Sequence, residues 1–268
     1  MGHAVYHAGD PTHPALLVMP EIAGFAPGLR LFALRLVDAG FQVYVPWLFG
    51  PFGQRASVRN ALRLCISREF AFLRAGKTAP IASWLRALAA HISEERGARR
   101  IGAIGMCLTG AFAIPLILEP GVVAAVAAQP SVPLSLSHAA FGLRGGWRSS
   151  ALNVSDQTIA EARECLQDGK GHLLALRCRA DRLCPSEKIA RFQREFPVGL
   201  EVREYGQSRD RNRLGERPHA TFTKEFRLEP DAPPSHHSRQ AFEDLVAFFD
   251  RHLRTPAPAS DREGSCSR

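Results

Sequence analysis

Short apolar runs alternate with amphipathic stretches along almost the whole chain. Residues 15–19 and 41–45 are apolar segments bounded by Pro and Gly, the pattern of buried strands. Between them, residues 29–38 carry apolar side chains at 29, 32, 33, 36 and 37, a helical stripe closed by Gly40. A strand, a helix and a strand in that order form a parallel crossover unit. The rhythm repeats as helix 81–96, strand 101–105, helix 108–118, strand 122–128, helix 158–167, strand 172–177, helix 186–196, strand 200–205 and helix 239–254. This alternation predicts an α/β fold, a doubly wound and mostly parallel sheet with helices on both faces. Residues 1–254 are expected to form one domain, and the Pro-, Ala- and Ser-rich stretch 255–268, which has no apolar period, a disordered tail.

Two segments break the rhythm. Residues 49–77 mix aromatic side chains with Arg55, Arg59, Arg63, Arg68 and Arg74, and residues 130–155 are rich in Ser, Gly and Pro. Each follows the C-terminal end of a strand, where ligands bind in open parallel sheets, so both are expected to wall a pocket.

Composition narrows the class. Of 268 residues 46% are hydrophobic and 22% charged, which excludes a chain disordered throughout. The apolar runs within 101–118 and 122–128 are broken by Gly, Pro, Thr and Glu before they reach the roughly 20 residues of a bilayer span, so no membrane helix is expected. The first 14 residues hold three His and one Asp and no basic start ahead of an apolar stretch, which predicts a cytoplasmic protein. The formal charge is +8, yet the basic residues, all but four of them Arg, are spread without a block, so nucleic acid is not an expected partner. Six scattered Cys without a CxxC pair predict reduced thiols. His3, His7 and His13 lie near a terminus and His236 and His237 are adjacent, so no metal site is expected.

The sharpest chemical signal lies at Cys107. An apolar strand ends at Gly105, Cys107 follows two residues later, and Leu108, Thr109, Gly110 and an Ala- and Ile-rich helix come next. Small residues around a nucleophile at a strand-to-helix junction are the layout of a nucleophile elbow, and a helix N-terminus favours a thiolate. Thr109 stands where the usual pattern has Gly, and would crowd the turn. The plainer reading of Cys107 is a small buried core residue. An elbow nucleophile needs an imidazole and an acid that orients it, in the chain order acid then His. Asp181 follows strand 172–177 and His219 follows strand 200–205, each in a polar loop ahead of a helix.

With these residues in place, the sequence from about 15 to 253 resembles the dienelactone hydrolase family of α/β-hydrolases. The resemblance rests on Met19-Pro20-Glu21-Ile22, on Gly105-Met106-Cys107-Leu108, on Asp181 with Pro185 after it, and on His219 with Phe222. It implies a Cys107, Asp181, His219 triad that hydrolyses an ester or lactone, with Glu21 near the thiol and an oxyanion hole made by the N–H groups of Ile22 and Leu108. No cofactor is implied. The short N-terminus leaves the family's first strand or two missing or reduced to residues 4–7. Arg68 is the upstream candidate for binding a substrate carboxylate, so the expected partner is a small ester or lactone with an anionic or strongly polar group. Glu21 is expected either to oppose thiolate formation by like charge or to bond structural N–H groups or Arg30. The rival readings are a non-enzymatic binding or thiol redox-sensing protein with Cys107 as its reactive thiol, and an acyltransferase using the same three residues.

Overall fold

The computed structural model describes residues 2–49, 80–97, 99–131, 150–206, 219–223 and 237–254. In chain order these form β1 (Val5–Ala8), β2 (Ala15–Met19), α1 (Pro27–Asp38), β3 (Gln42–Pro46), α2 (Pro80–Glu95) and β4 (Ile101–Met106). A 3-10 turn (Cys107–Phe112), α3 (Ala113–Leu116), β5 (Val122–Ala128), α4 (Asp156–Gln167) and β6 (His172–Cys178) follow. The chain continues with α5 (Ser186–Glu195), β7 (Leu200–Tyr205), α6 (His237–Phe249) and a π-helical turn (Asp250–Arg254). The seven strands form one sheet in the order β1-β3-β2-β4-β5-β6-β7. Only β1, on the edge, runs antiparallel to its neighbour.

Strand alternation divides the core into two layers. From β2, Ala15, Leu17 and Met19 enter the layer beneath α2, α3, α4 and α5, while Leu16 and Val18 enter the layer beneath α1 and α6. All five β2 side chains are fully buried, as a central parallel strand covered on both faces requires. The doubly wound arrangement expected from the sequence is therefore present.

Sheet register decides what lies where at the C-terminal edge. Met19 pairs with Gly105, Gly105 with Ala127, Ala128 with Leu176, and Cys178 with Tyr205. The residues that follow β2, β4, β5 and β6 consequently emerge side by side, where a parallel sheet offers its crevice.

α5 buries an unexpected residue. Lys188, 1% exposed, sits on the inner face with Ile189 and Phe192, and its Nζ donates to the Ala151 carbonyl at 2.5 Å. Burial lowers the amine from the 10.5 of a free lysine to about 8. The folded state thus resists protonation here, and stability withheld below about pH 8 returns as pH climbs toward the unfolded value. Lys188→Met is expected to stabilise the protein by about 1 to 2 kcal/mol at pH 7, the gain from removing a buried charge less the lost hydrogen bond. Urea melts at pH 7 and pH 10 check this: the advantage should shrink at the higher pH, and a destabilised variant at pH 7 would refute it.

Candidate active site

β4 ends in a strained turn. Cys107 has φ +57°, a left-handed conformation that few residues other than Gly adopt, and it is 3% exposed. Gly105 makes the turn feasible, because a Cβ there would strike the Thr109 carbonyl. A Cβ on Gly110 would stand 2.9 Å from Pro130 Cα, so the segment after β5 lies flush against the elbow. The expected continuous helix 108–118 is instead a six-residue 3-10 turn leading into the four-residue α3. Pro115 accounts for the restart: lacking an N–H, it fits the first turn of α3 and not the interior of a longer helix.

Thr109 does not crowd the elbow as the sequence suggested. Its hydroxyl oxygen accepts the Met106 N–H at 2.9 Å and lies 3.1 Å from the carbonyl oxygens of both Met19 and Pro20. The Met106 carbonyl, at 3.0 Å, is a third acceptor within reach; the hydroxyl donates to one of the three at a time, and its bonds to Met19 and Pro20 tie the elbow to the end of β2. Thr109→Val keeps the shape but strands a buried N–H, and is expected to cost about 1 to 3 kcal/mol in denaturant melts. A change below about 0.5 kcal/mol would show that the tether is idle.

The acid and the imidazole expected from the sequence meet. Asp181, 4% exposed, accepts the backbone N–H groups of Leu183 at 2.8 Å and Cys184 at 3.3 Å on Oδ1, which turns Oδ2 toward His219 Nδ1 at 2.7 Å. The His219 side chain is only 12% exposed, and its Nε2, the nitrogen not bonded to Asp181, is buried. Burial alone would hold the imidazole low, but the Asp181 carboxylate, with the Cys107 sulfur acting in the same direction, raises it well above the usual histidine range. The segment 219–223 is pinned along its length. Thr221 Oγ1 lies 3.6 Å from Cys178 Sγ, Phe222 stacks on Phe32 at 4.8 Å between centroids, and the Thr223 hydroxyl donates to Glu21 Oε1. Gly28 admits this approach, since a Cβ there would lie 2.5 Å from the Thr223 carbonyl.

Glu21 is buried just beyond β2, and its bond to Thr223 joins it to the histidine-bearing segment. The Cys107 sulfur is bonded elsewhere, to Ser131 Oγ at 3.1 Å, and the Ser131 N–H donates to the Cys107 carbonyl at 2.9 Å. Ile22 and Leu108 follow β2 and β4, adjacent strands whose ends lie in register. Cys184, fully buried in the same apolar layer as Cys107, has its thiol pushed well above the usual range by burial and by the Asp181 carboxylate. Arg68, most of both expected pocket walls and the tail 255–268 lie outside the described residues. Ser131, Thr223 and Lys188 were not singled out from the sequence. Ser131 had a visible signal, standing three residues past a buried strand at the start of the Ser-rich segment; Thr223 and Lys188 had none beyond proximity to His219 and to the loop of Asp181.

The family model described as the dienelactone hydrolase family matches residues 3–195. The chain belongs to that family. The match takes in Glu21, Cys107 and Asp181 and ends before His219, which the fold delivers from beyond β7. No curated protein matches the sequence significantly. Among solved structures, this dienelactone hydrolase family member is similar to a protein of Klebsiella pneumoniae subsp. pneumoniae given the name dienelactone hydrolase, with 17% identity, 93% of each chain covered and a TM-score of 0.61. It is also similar to the dienelactone hydrolase-like promiscuous phosphotriesterase P91 from metagenomic libraries, with 17% identity, 91% and 92% of the chains covered and a TM-score of 0.56. An esterase of Pyrococcus furiosus is 14% identical over 94% of this chain and 92% of its own, with a TM-score of 0.51. At these identities the likeness is one of fold, that of the α/β-hydrolases. No helix among the described residues is long and apolar enough to cross a membrane.

Proposed function

We propose that the protein hydrolyses a small carboxylic ester or lactone through an acyl-cysteine intermediate. The observation that carries this reading is the left-handed Cys107 whose sulfur acts on the buried imidazole of the His219–Asp181 pair. The Cys107 sulfur adds to the acyl carbon of the substrate, and the oxygen that gains negative charge is held by the N–H groups of Ile22 and Leu108. Collapse breaks the ester C–O bond as the His219 imidazolium gives its Nε2 proton to the departing alkoxide. His219 then takes a proton from water, whose oxygen attacks the thioester, and the acid leaves as the thiolate is restored. Asp181 fixes the ring so that Nδ1 always carries a proton and Nε2 faces the sulfur. Glu21 serves this site by anchoring Thr223, and with it His219, to the end of β2.

Intact-mass spectrometry after exposure to a panel of activated esters and lactones tests the proposal. One added acyl mass on a Cys107-containing peptide is the expected result. Hydrolysis without such an adduct, when the reaction is quenched in the steady state, or an adduct on another residue, would overturn it.

A further inference from the structure

The nucleophile has a partner that the three-residue mechanism leaves unused. Ser131, 1% exposed, places its hydroxyl 3.1 Å from Cys107 Sγ and is clamped to the same residue by its backbone N–H. The segment that carries it is strained and tightly seated. Gln129 has φ +42° at the end of β5, and Pro130 packs against Gly110 of the elbow. A non-glycine residue held in this region is strained and persists where the surroundings dictate it.

Hydrogen-bond accounting fixes the direction of the Ser131–Cys107 bond. The sulfur is the partner of Ser131 Oγ among the described residues. If the thiol donated to the oxygen, the hydroxyl proton would be left buried without an acceptor, at a cost comparable to a lost hydrogen bond. If the hydroxyl donates, its proton is used, and the bond strengthens as the sulfur becomes negative.

We propose that Ser131 is a positioning residue for the nucleophile: its hydroxyl donates to the Cys107 sulfur, fixes it at the mouth of the elbow and favours the thiolate. This deepens the proposed function and rests on it for the consequence in turnover. Among the described residues, the titratable groups that act with the sulfur are His219, with Asp181 behind it, and Cys184 from the loop after β6, while Glu21, just beyond the neighbouring strand β2, is bonded to Thr223. Of these, His219 raised toward its cationic form acts with Ser131, whereas Asp181 acts against a second negative charge.

The experiment is the rate of Cys107 alkylation by iodoacetamide, a neutral reagent, measured from pH 5 to 10 with the modified residue identified by peptide mapping. Ser131→Ala is expected to move the midpoint of the profile upward by about half a unit to one unit and to slow alkylation about three- to tenfold on the acid side. The high-pH plateau should be unchanged, because there the thiolate is fully formed in both proteins. Ser131→Thr, which keeps a hydroxyl, is expected to return the midpoint toward that of the native protein. A merely structural role would change the plateau or the melting temperature and leave the midpoint in place, and an unmoved midpoint overturns the proposal. So does a downward shift, which would mean that the hydroxyl accepts from the thiol. The profile reads the sulfur directly, so it stands even if Cys107→Ala proves to retain esterase activity, the result that would remove the catalytic reading alone.

Discussion

Cys107→Ala is expected to lower kcat/KM for a short-chain activated ester by at least about three orders of magnitude while the protein stays folded. The size follows from the chemistry. Without the sulfur there is no covalent intermediate, and the remaining N–H groups and His219 can offer only weak assistance to direct attack of water on the ester. The fold should tolerate the change because the elbow's geometry is set by Gly105, Gly110 and the Thr109 tether, none of which involves the sulfur. Alanine inherits the same φ of +57° that cysteine already bears, so no new strain is introduced. Circular dichroism melts beside the kinetics separate loss of chemistry from loss of structure. Activity within tenfold of the native protein would identify Cys107 as a packing residue and hand the hydrolytic step to another group.

How much of this is legible in the sequence differs from element to element for physical reasons. β2 and β5 begin and end where the apolar runs do, because a buried parallel strand has to be apolar on both faces and Pro, Gly or charge stops it, whereas β7, at the sheet edge and half-buried, carries Glu201, Arg203 and Glu204 between its apolar residues. The sequence presents the helix after Cys107 as one continuous stripe, whereas Gly110 and Pro115 split it into a 3-10 turn and a short helix without altering the hydrophobic pattern. α6 shows the same limit: its stripe continues past Phe249, but the last turn widens into a π-helical turn at Asp250–Arg254. Hydrophobic period reports which face is buried and is nearly blind to which helical hydrogen bond closes the ring.

The site divides along a similar line. Cys107 and Asp181 could be singled out because each stands just after a recognisable strand, and His219 because it lies in the loop that follows the last one, and strand ends of a parallel sheet converge. Ser131 occupies the same kind of position after β5, and that position is its whole signal; its contact with Cys107 emerges only when the register sets β5 beside β4. Glu21 was found by its place after β2, yet its bond to Thr223 could not be anticipated, since that contact joins residues 202 apart in sequence. Position along the chain shows which loops share the crevice; only the packed structure shows which side chains touch.

Asp181→Asn is expected to reduce kcat/KM by roughly 100- to 10,000-fold, and the reason lies in which of its oxygens does what. Oδ1 is committed to the N–H groups of Leu183 and Cys184, so an asparagine there is forced to keep its carbonyl oxygen on those donors. Its NH2 group then faces His219 Nδ1, across what was a 2.7 Å bond to a carboxylate. An amide NH2 can only donate, so Nδ1 must give up its proton and Nε2 must hold one. The ring is left in the tautomer that cannot accept a proton from the thiol or from water, and the imidazolium loses the carboxylate that stabilised it. His219, raised well above the usual histidine range in the native protein, should therefore titrate markedly lower in the variant. That difference has a signature in stability as well. A raised histidine contributes fully below its unfolded value of about 6.5 and loses its contribution as pH climbs through the folded value. The native protein's advantage over Asp181→Asn should accordingly be largest between about pH 5 and 6.5 and narrow as the pH is raised. Histidine NMR titration, kcat/KM and melting temperature measured across this range check the three consequences together. An advantage that instead grew with pH would show that His219 is neutral in the folded protein, and that Asp181 holds the loop of Leu183 and Cys184 without polarising the ring.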